Sequence, residues 1–580
     1  MPANFPRNIR IAATAVTSHL LDDPARFVLL ASQRFPTAFA KPAAALLGRF
    51  GPLGEAYADW MRGHRDDAMA KLESAPANGA MQQQLASNLA IAADRPDLVA
   101  APEERRAGAG QAVLDARAKW QLGDLSGAIS ALRGVKHRSA RDYLRVLEGE
   151  RELLQSGYRL PSAAEQLSTP QPATAPRALH LLTNSLPHTQ SGYTLRSHSI
   201  LKSQRDAGIA VTAATRIGYP VTVGKLAALD LDTVDGINYH RVLPTRLGAS
   251  MPERLDKQVR ELDRLVEEFR PTVIHTTTNY TNALVAQALA ARHGLPWTYE
   301  VRGMLEKTWA TSRATEDARA AAAASERFQL MHAREAELAQ AADHVFTISS
   351  TMRDALIERG VPAEKISLIP NSIDAALLDR ASTPADVRAE LGLGRGGFWV
   401  GAVSSLVDYE GHDLILEAVA TLRRQGIDAR ALIAGDGAAR PELLQQANEL
   451  GDAAHLPGRV PPDLAKRYVE ALDVVVVARR DLEVTRSVTP LKPIEAMALG
   501  RPVVVSDLPP LRELVGNDER GVVVAPDSAP AVSEALSMLA SDGSFSARLA
   551  AAGKQFAASL TWDAVAAEYR RVFDELTAAD

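Results

Sequence analysis

Lys492-Pro-Ile-Glu-Ala-Met-Ala-Leu-Gly-Arg-Pro-Val-Val-Val-Ser506 sets an apolar helical stretch against a run of valines, with Gly500 and Pro502 marking the change. The valine run is short and uniformly apolar, as a strand buried on both faces requires. Runs of the same kind surround it: Phe398-Trp-Val-Gly-Ala-Val, Ala431-Leu-Ile-Ala-Gly-Asp-Gly, Asp473-Val-Val-Val-Val-Ala and Gly521-Val-Val-Val-Ala. An earlier series reads Ala178-Leu-His-Leu-Leu-Thr, Val211-Thr-Ala-Ala-Thr, Val273-Ile-His-Thr-Thr, Trp297-Thr-Tyr-Glu-Val and His344-Val-Phe-Thr-Ile. Strands alternating with helices argue for βαβ units and parallel sheets. The chain therefore predicts an α/β fold with two Rossmann-like, doubly wound domains, and a ligand cleft at the carboxyl ends of their strands. The Gly-rich polar stretch from Ala381 to Gly397 reads as the connection between them.

Residues before about 160 have a different texture, rich in Ala and Leu with almost no β-branched runs, which favours helices. Two segments resemble each other, one from Ala58 through Trp60 and Gly63 to Leu72, the other from Ala118 through Trp120 and Gly123 to Leu132. Each reads as a helix, a turn at the Gly and a second helix, like a tetratricopeptide-type hairpin; an Ala-rich all-α bundle is the alternative. A weaker copy falls around Ala93 to Asp97. Leu160 to Arg177 is rich in Pro, Ser, Thr and Ala without an apolar period and reads as a linker. The expected division is a helical domain over 1–160, a linker over 161–176, Rossmann-like domains over 177–390 and 391–560, and a C-terminal helix over 561–580 that crosses back to the first of them.

Composition narrows the function. Of 580 residues, 46% are hydrophobic and 23% charged, which excludes a mainly disordered chain. A net charge of -5 leaves no electrostatic footprint for nucleic acid as main partner. With 0 cysteines, disulfide, thiol and cysteine-metal chemistry are all excluded. No apolar run approaches the ~18 residues of a membrane span, and the N-terminal stretch, broken by His19 and Asp22, is a poor secretory signal. The expected location is cytoplasmic, with peripheral association at the inner face of the membrane left open.

Several segments carry chemistry. Ser191-Gly192 in a strand-to-helix loop exposes backbone N–H groups at a helix N-terminus, which suits a phosphate; a tight turn is the alternative. Arg196 is placed to point a charge at the same phosphates, or is an exposed helix residue. Glu495 opens an apolar helix after Pro490 and Pro493, where a carboxylate suits the macrodipole and can accept two ribose hydroxyls. Lys492 lies between two prolines as a fixed cation. Asp436 between two glycines serves a turn. Arg302 ends a strand beside Glu300, either facing the cleft or in an internal ion pair. His275 reads as a satisfied core histidine, and Asp230-Leu-Asp232 mimics a metal-binding acidic pair in the wrong loop context.

Taken in order, Asn184 to Arg196, Ile369-Pro-Asn371-Ser-Ile-Asp374, Ala434-Gly435-Asp-Gly437 and Pro490 to Asp507 resemble retaining glycosyltransferases of family 4, which have the GT-B fold. The resemblance covers about residues 177 to 578 and leaves the helical region out. It implies that Ser191, Gly192, Arg196, Asn371, Gly435, Val460, Thr489, Leu491 and Glu495 meet a nucleotide diphosphate sugar, UDP- or GDP-linked. Within that set Glu495 holds the ribose, the Thr489–Lys492 loop meets the diphosphate, and Val460 touches the base by its main chain. No separate cofactor and no metal are implied.

Departures from the family pattern shift the expected chemistry. Ser405 and Glu410 stand where the family has an Arg and a Lys, and Ser487 where it has the first Glu of a pair. Glu483 is the candidate replacement carboxylate, while Lys492, Arg302 and the Arg479-Arg480 pair are the candidate cations. The implied reaction is hexosyl transfer with retention to a hydroxyl of a glycan, lipid-linked or protein acceptor, in cell-surface glycan or glycoconjugate synthesis. The helical region would hold a protein partner or a second copy of the chain. A silent transferase-like scaffold and a nucleotide-sugar epimerase are the competing readings.

Overall fold

The computed structural model describes residues 4–22, 51–62, 64–75, 80–99, 108–167, 175–380 and 382–578. Gly63, Ala381 and the middle of the expected linker lie outside them. The chain forms two compact units: Met1–Gln190, Val211–Tyr299 and Met304–Asp343 make the first, and Ser191–Ala210, Glu300–Gly303 and His344–Asp580 the second.

The first unit begins with helices α1 (Phe5–Asp22), α2 (Gly51–Arg62), α3 (Arg65–Ser74), α4 (Ala80–Ala92), α5 (Ala109–Gln121), α6 (Leu125–Leu132) and α7 (Arg138–Leu154). The pairs α2–α3 and α5–α6 pack as helical hairpins, the two segments whose sequences resemble each other. Asp124 caps α6 by accepting from the Gly127 N–H at 2.7 Å. The weaker third copy has only a 3-10 turn, Pro96–Leu98, after α4.

Six strands of this unit lie in the order β3-β4-β2-β1-β5-β6: β1 (Arg177–Leu182), β2 (Ala210–Thr215), β3 (Leu231–Val234), β4 (Ile237–Arg241), β5 (Val273–Thr277) and β6 (Trp297–Val301, whose last two residues belong to the second unit). β1 and β5 pair in parallel, as do β2 and β4, whereas β3 and β4 form an antiparallel hairpin that the sequence reading passed over. Asp232 of that hairpin accepts from Arg241 Nε at 2.8 Å and pairs with His188 Nε2 at 2.9 Å, so it is a structural residue. His275 is fully buried with Nδ1 2.8 Å from Thr298 Oγ1, a core histidine.

The second unit opens with α8 (Gly192–Asp206). Of the remaining first-unit helices, α9 (Met251–Phe269), α10 (Tyr280–His293), α11 (Leu305–Thr311), α12 (Glu316–Ala323) and α13 (Glu326–Ala341), four hold the helical region and the segment after it. Arg327 of α13 lies with its guanidinium 4.3 Å from the Trp120 ring and 4.9 Å from the Trp309 ring, and pairs with Glu150 of α7 at 2.8 Å. Asp94 pairs with Arg313 at 2.5 Å. Ser162, in the segment expected as a linker, is fully buried; its N–H donates to Asp256 of α9 and its carbonyl accepts from Arg292 of α10. The helical region is thus fastened to the helices of the first sheet by ion pairs and stacked cations.

In the second unit β7 (His344–Thr347) and β8 (Ile366–Leu368) pair in parallel, with α14 (Ser350–Glu358) between them. Next comes α15 (Pro384–Glu390), inside the stretch expected to be a loose connection. Its Val387 is fully buried in a core with Trp399, and Arg388 donates to the Ala471 carbonyl and pairs with Asp473, so this stretch is part of the domain it precedes. The second sheet has six parallel strands, β9 (Phe398–Val403), β10 (Ala429–Ala434), β11 (Ala454–Gly458), β12 (Val474–Val477), β13 (Val503–Ser506) and β14 (Val522–Val524), ordered β11-β10-β9-β12-β13-β14. This is the doubly wound order 3-2-1-4-5-6, whose ligand crevice opens at the carboxyl ends of the two middle strands. Val474 to Val477 are buried on both faces because helices cover them: α16 (His412–Arg424), α17 (Arg440–Leu450), α18 (Pro462–Ala471), α19 (Lys492–Ala498), α20 (Pro509–Val515), α21 (Ala529–Ser541) and α22 (Gly543–Ala558). The C-terminal α23 (Trp562–Ala578) packs on α8, and its Tyr569 ring lies tilted against Phe346 of β7, centroids 4.5 Å apart. Among the described residues no helix is long and apolar enough to cross a membrane.

Candidate active site

The chain reverses direction across the second sheet between β9 and β12, and the loops after those strands meet there. The loop after β9 ends in a 3-10 turn, Asp408–Glu410, closed by Gly411 at φ +67. A Cβ at Gly411 would lie 1.9 Å from the Ala478 carbonyl oxygen, so only glycine lets this loop touch the end of β12. That contact buries Glu410. Its Oε1 accepts from Arg479 Nη2 at 2.8 Å and its Oε2 accepts from Lys492 Nζ at 2.8 Å. Burial pushes the Glu410 carboxyl up, but the charges of Lys492 and Arg479 outweigh it and hold it at about 2. Burial lowers the Lys492 ammonium, with Glu410 opposing. Arg479 also donates to the Val488 carbonyl at 2.9 Å. His412 opens α16 with Nε2 2.7 Å from Ser404 Oγ; burial and Lys492 lower it to about 4, leaving it neutral at pH 7.

Thr489, Leu491, Lys492 and Glu495 follow one another into α19. Leu491 is half-buried and its carbonyl accepts from the Ile494 and Glu495 N–H groups. Thr489 is buried with Oγ1 unpartnered. Glu495 lies one turn beyond Lys492, and its carboxylate has no hydrogen-bond partner among the described residues; burial raises it to about 6 against Lys466 and Lys492. Gly435 follows β10 where a Cβ would strike the Ser404 carbonyl at 1.7 Å, and its N–H donates to the Gly458 carbonyl, so it packs loops together. Val460 rests half-buried on the core beyond β11. Glu483 sits exposed in a turn, its carbonyl accepting from Ser487 Oγ.

A second carboxylate organises the other candidates. Glu300 is fully buried. Its Oε1 accepts from Arg196 Nε and Nη2, and its Oε2 from Arg302 Nη2 at 2.6 Å and Tyr569 OH at 3.1 Å. Arg196 gives its other donors to the Ile369 and Pro370 carbonyls and to Asn371 Oδ1. Every N–H of Arg196 is therefore engaged inside the protein, and the charge expected to reach the phosphates is spent on this hub. Arg302 pairs internally as well, with further bonds to Ser197 Oγ at 2.7 Å and the Tyr193 carbonyl; burial works against its charge, and Glu300 more than restores it. Asn371 passes the network on, its Nδ2 donating to the Thr489 carbonyl at 2.9 Å.

The α8 start is a capping box. Ser191 Oγ accepts from the Thr194 N–H, and Thr194 Oγ1 accepts from the Ser191 N–H. The box leaves the Gly192 and Tyr193 N–H groups without an acceptor among the described residues, and the space where a Gly192 Cβ would stand is open. The sequence offered the Glu300–Arg302 ion pair as one alternative, but it pointed neither to Glu300 as a hub that also takes Arg196 and Tyr569 nor to Glu410 as the anchor of two cations.

Residues 191–372 match the family described as "Glycosyl transferase 4-like domain", and residues 397–542 match "Glycosyl transferases group 1". The glycogen synthase of Mycobacterium tuberculosis is 30% identical over 317 residues, spanning 53% of this chain and 69% of that protein. The chain belongs to the group 1 glycosyl transferases. It spans 45% of the length of each of two further curated relatives that it matches. Among solved structures, the sucrose-phosphate synthase of Thermosynechococcus elongatus has a TM-score of 0.56 at 21% identity, over 70% of this chain and 100% of that one. Anabaena HepE in complex with UDP has a TM-score of 0.51 at 19% identity, over 69% and 100%. These likenesses show the GT-B fold for this glycosyl transferase.

Proposed function

We propose that the chain transfers a hexosyl group from a UDP- or GDP-linked sugar to a hydroxyl of a glycan or glycoconjugate acceptor, with retention of anomeric configuration. The observation that carries this reading is the pairing, on one turn of α19, of Lys492 with an unpartnered Glu495 carboxylate at the switch point of the second sheet. Glu495 would accept from the ribose hydroxyls. Lys492 and Arg479 would face the diphosphate, with the Gly192 and Tyr193 amides as further donors.

In the reaction the bond between the sugar's anomeric carbon and the phosphate oxygen breaks, and the diphosphate keeps the electron pair. The acceptor oxygen bonds to the same face of that carbon, and its proton passes to the leaving phosphate oxygen. The protein's part is to stabilise charge on the diphosphate from fixed donors and to orient the acceptor. Membership of the family and the complex of a fold neighbour with UDP support the donor class. The test is incubation of the full chain with UDP- and GDP-sugars, following nucleotide release and the anomeric configuration of the product by NMR. Release of UDP or GDP with an α-linked donor giving an α-linked product supports the reading. An inverted product or a free epimer of the donor contradicts it.

A further inference from the structure

We infer that Glu410 is the positioning residue of the donor site, joining two cations, Arg479 just beyond β12 and Lys492 at the start of α19, into one diphosphate-binding group. This rests on the donor reading above. A carboxylate at an anion site is at first sight an obstacle, since its own charge repels the ligand. Here both its oxygens are already taken, one by Arg479 and one by Lys492, each at 2.8 Å. The three side chains together carry one positive charge.

The geometry divides the labour. Arg479 leaves the end of β12 almost fully buried and is fixed on its other side by the Val488 carbonyl. Lys492 is the more exposed, with about a quarter of its side chain open, and Glu410 is its one hydrogen-bond partner among the described residues. Two of its three N–H donors are thus free for a ligand while the first fixes the direction of the ammonium. A lysine held by a single flexible stem gains most from such an anchor. Glu410 also keeps Lys492 charged in a place where burial favours the neutral amine.

The charged and titratable groups facing Lys492 are Glu410, Arg479, Glu495 and His412. Glu495 and His412 titrate at about 6 and about 4, so above pH 7.5 both are constant and a change with pH reports on Lys492. In Glu410→Gln the amide keeps the shape and one acceptor but loses the charge. Lys492 then sheds its proton at lower pH, beside an unopposed Arg479.

The experiment titrates UDP and GDP calorimetrically into the full wild-type chain, Glu410→Gln, Lys492→Met and the double variant, between pH 7.5 and 9.5. Expected is a wild-type affinity that falls less with pH over this range than that of Glu410→Gln. Glu410→Gln should be weakened by about tenfold at pH 7.5, the scale of one charge-assisted contact, and further as pH rises. In the Lys492→Met background Glu410→Gln should cost at least threefold less, because the group it positions is gone. Should Glu410→Gln fail to fold, Glu410→Asp decides: its carboxylate, one methylene shorter, cannot reach both cations, so affinity at pH 7.5 should fall in the wild-type background and at least threefold less in Lys492→Met, and equal costs in the two backgrounds overturn the positioning role. A Glu410→Gln profile parallel to wild type, or full additivity of the two substitutions, overturns the positioning role while leaving the donor site standing. Wild type that binds neither UDP nor GDP overturns the donor reading, and the inference with it.

Discussion

Asn371 donates from Nδ2 to the Thr489 carbonyl at 2.9 Å while its Oδ1 accepts from Arg196 at 3.1 Å. One amide therefore joins the hub around Glu300 to the segment that carries Lys492 and Glu495. Both ends of the side chain are needed, and an aspartate supplies only one. Asn371→Asp keeps the acceptor for Arg196 but turns an oxygen toward the Thr489 carbonyl. We expect it to lower stability by about 1–3 kcal/mol in chemical denaturation, the cost of a lost buried hydrogen bond and an unsatisfied carbonyl.

Glu410 makes a second prediction, about acid. Its folded-state value of about 2 lies below its ordinary value of 4.5. The stability it contributes is therefore complete above pH 4.5 and lost as pH falls through the range from 4.5 to 2. Glu410→Gln should flatten that part of the stability profile, measured by urea denaturation at pH 2.5, 3.5 and 5, while costing stability at neutral pH. A variant whose profile parallels wild type would mean the ion pairs are not formed.

Glu495 should behave in the opposite way. Its value, raised to about 6, means that ionising it in the folded chain costs free energy above pH 4.5, growing up to pH 6 and constant beyond. Glu495→Gln should therefore raise the thermal midpoint at pH 7.5, by roughly 1–2 kcal/mol of stability after allowance for its partial exposure. A site that binds a ligand commonly carries such a cost. An unchanged or lower midpoint, followed by calorimetry, would contradict the burial described here.

Arg327 between Trp120 and Trp309 fastens the helical region to α11 and α13. Arg327→Ala leaves Glu150 and two indole faces without their cation and should cost about 2–4 kcal/mol. Arg327→Lys should restore only part of it, since an ammonium cannot lie flat against two rings. Denaturant melts of the three chains side by side check this order.

The valine runs around Ser506 and Val475 made the second sheet legible, because strands buried on both faces admit little but aliphatic residues. The β3–β4 hairpin was harder. The short β3 has no buried residue and only β4 buries alternate positions, so the Asp235-Gly236 turn, both residues at positive φ, was the one local signal. Thr383-Pro384 likewise begins α15 as an ordinary cap, in a region whose glycines suggested a loose connection. At the site, residue types at Lys492 and Glu495 were readable from one short segment. The role of Glu410 was not, since its partners stand 69 and 82 residues away and only folding brings them to it. Arg196 was misleading for the same reason: its five donors are consumed by groups over a hundred residues downstream.

In the proposed function the β9–β12 crevice holds the nucleotide of a sugar donor through Glu495. The decisive measurement is calorimetric titration of UDP and GDP into wild type and Glu495→Ala at pH 7.5. Wild type should bind at least one nucleotide, and the variant should lose about 1.5–3 kcal/mol of binding, the worth of charge-assisted hydrogen bonds. Equal dissociation constants for the two chains would contradict it.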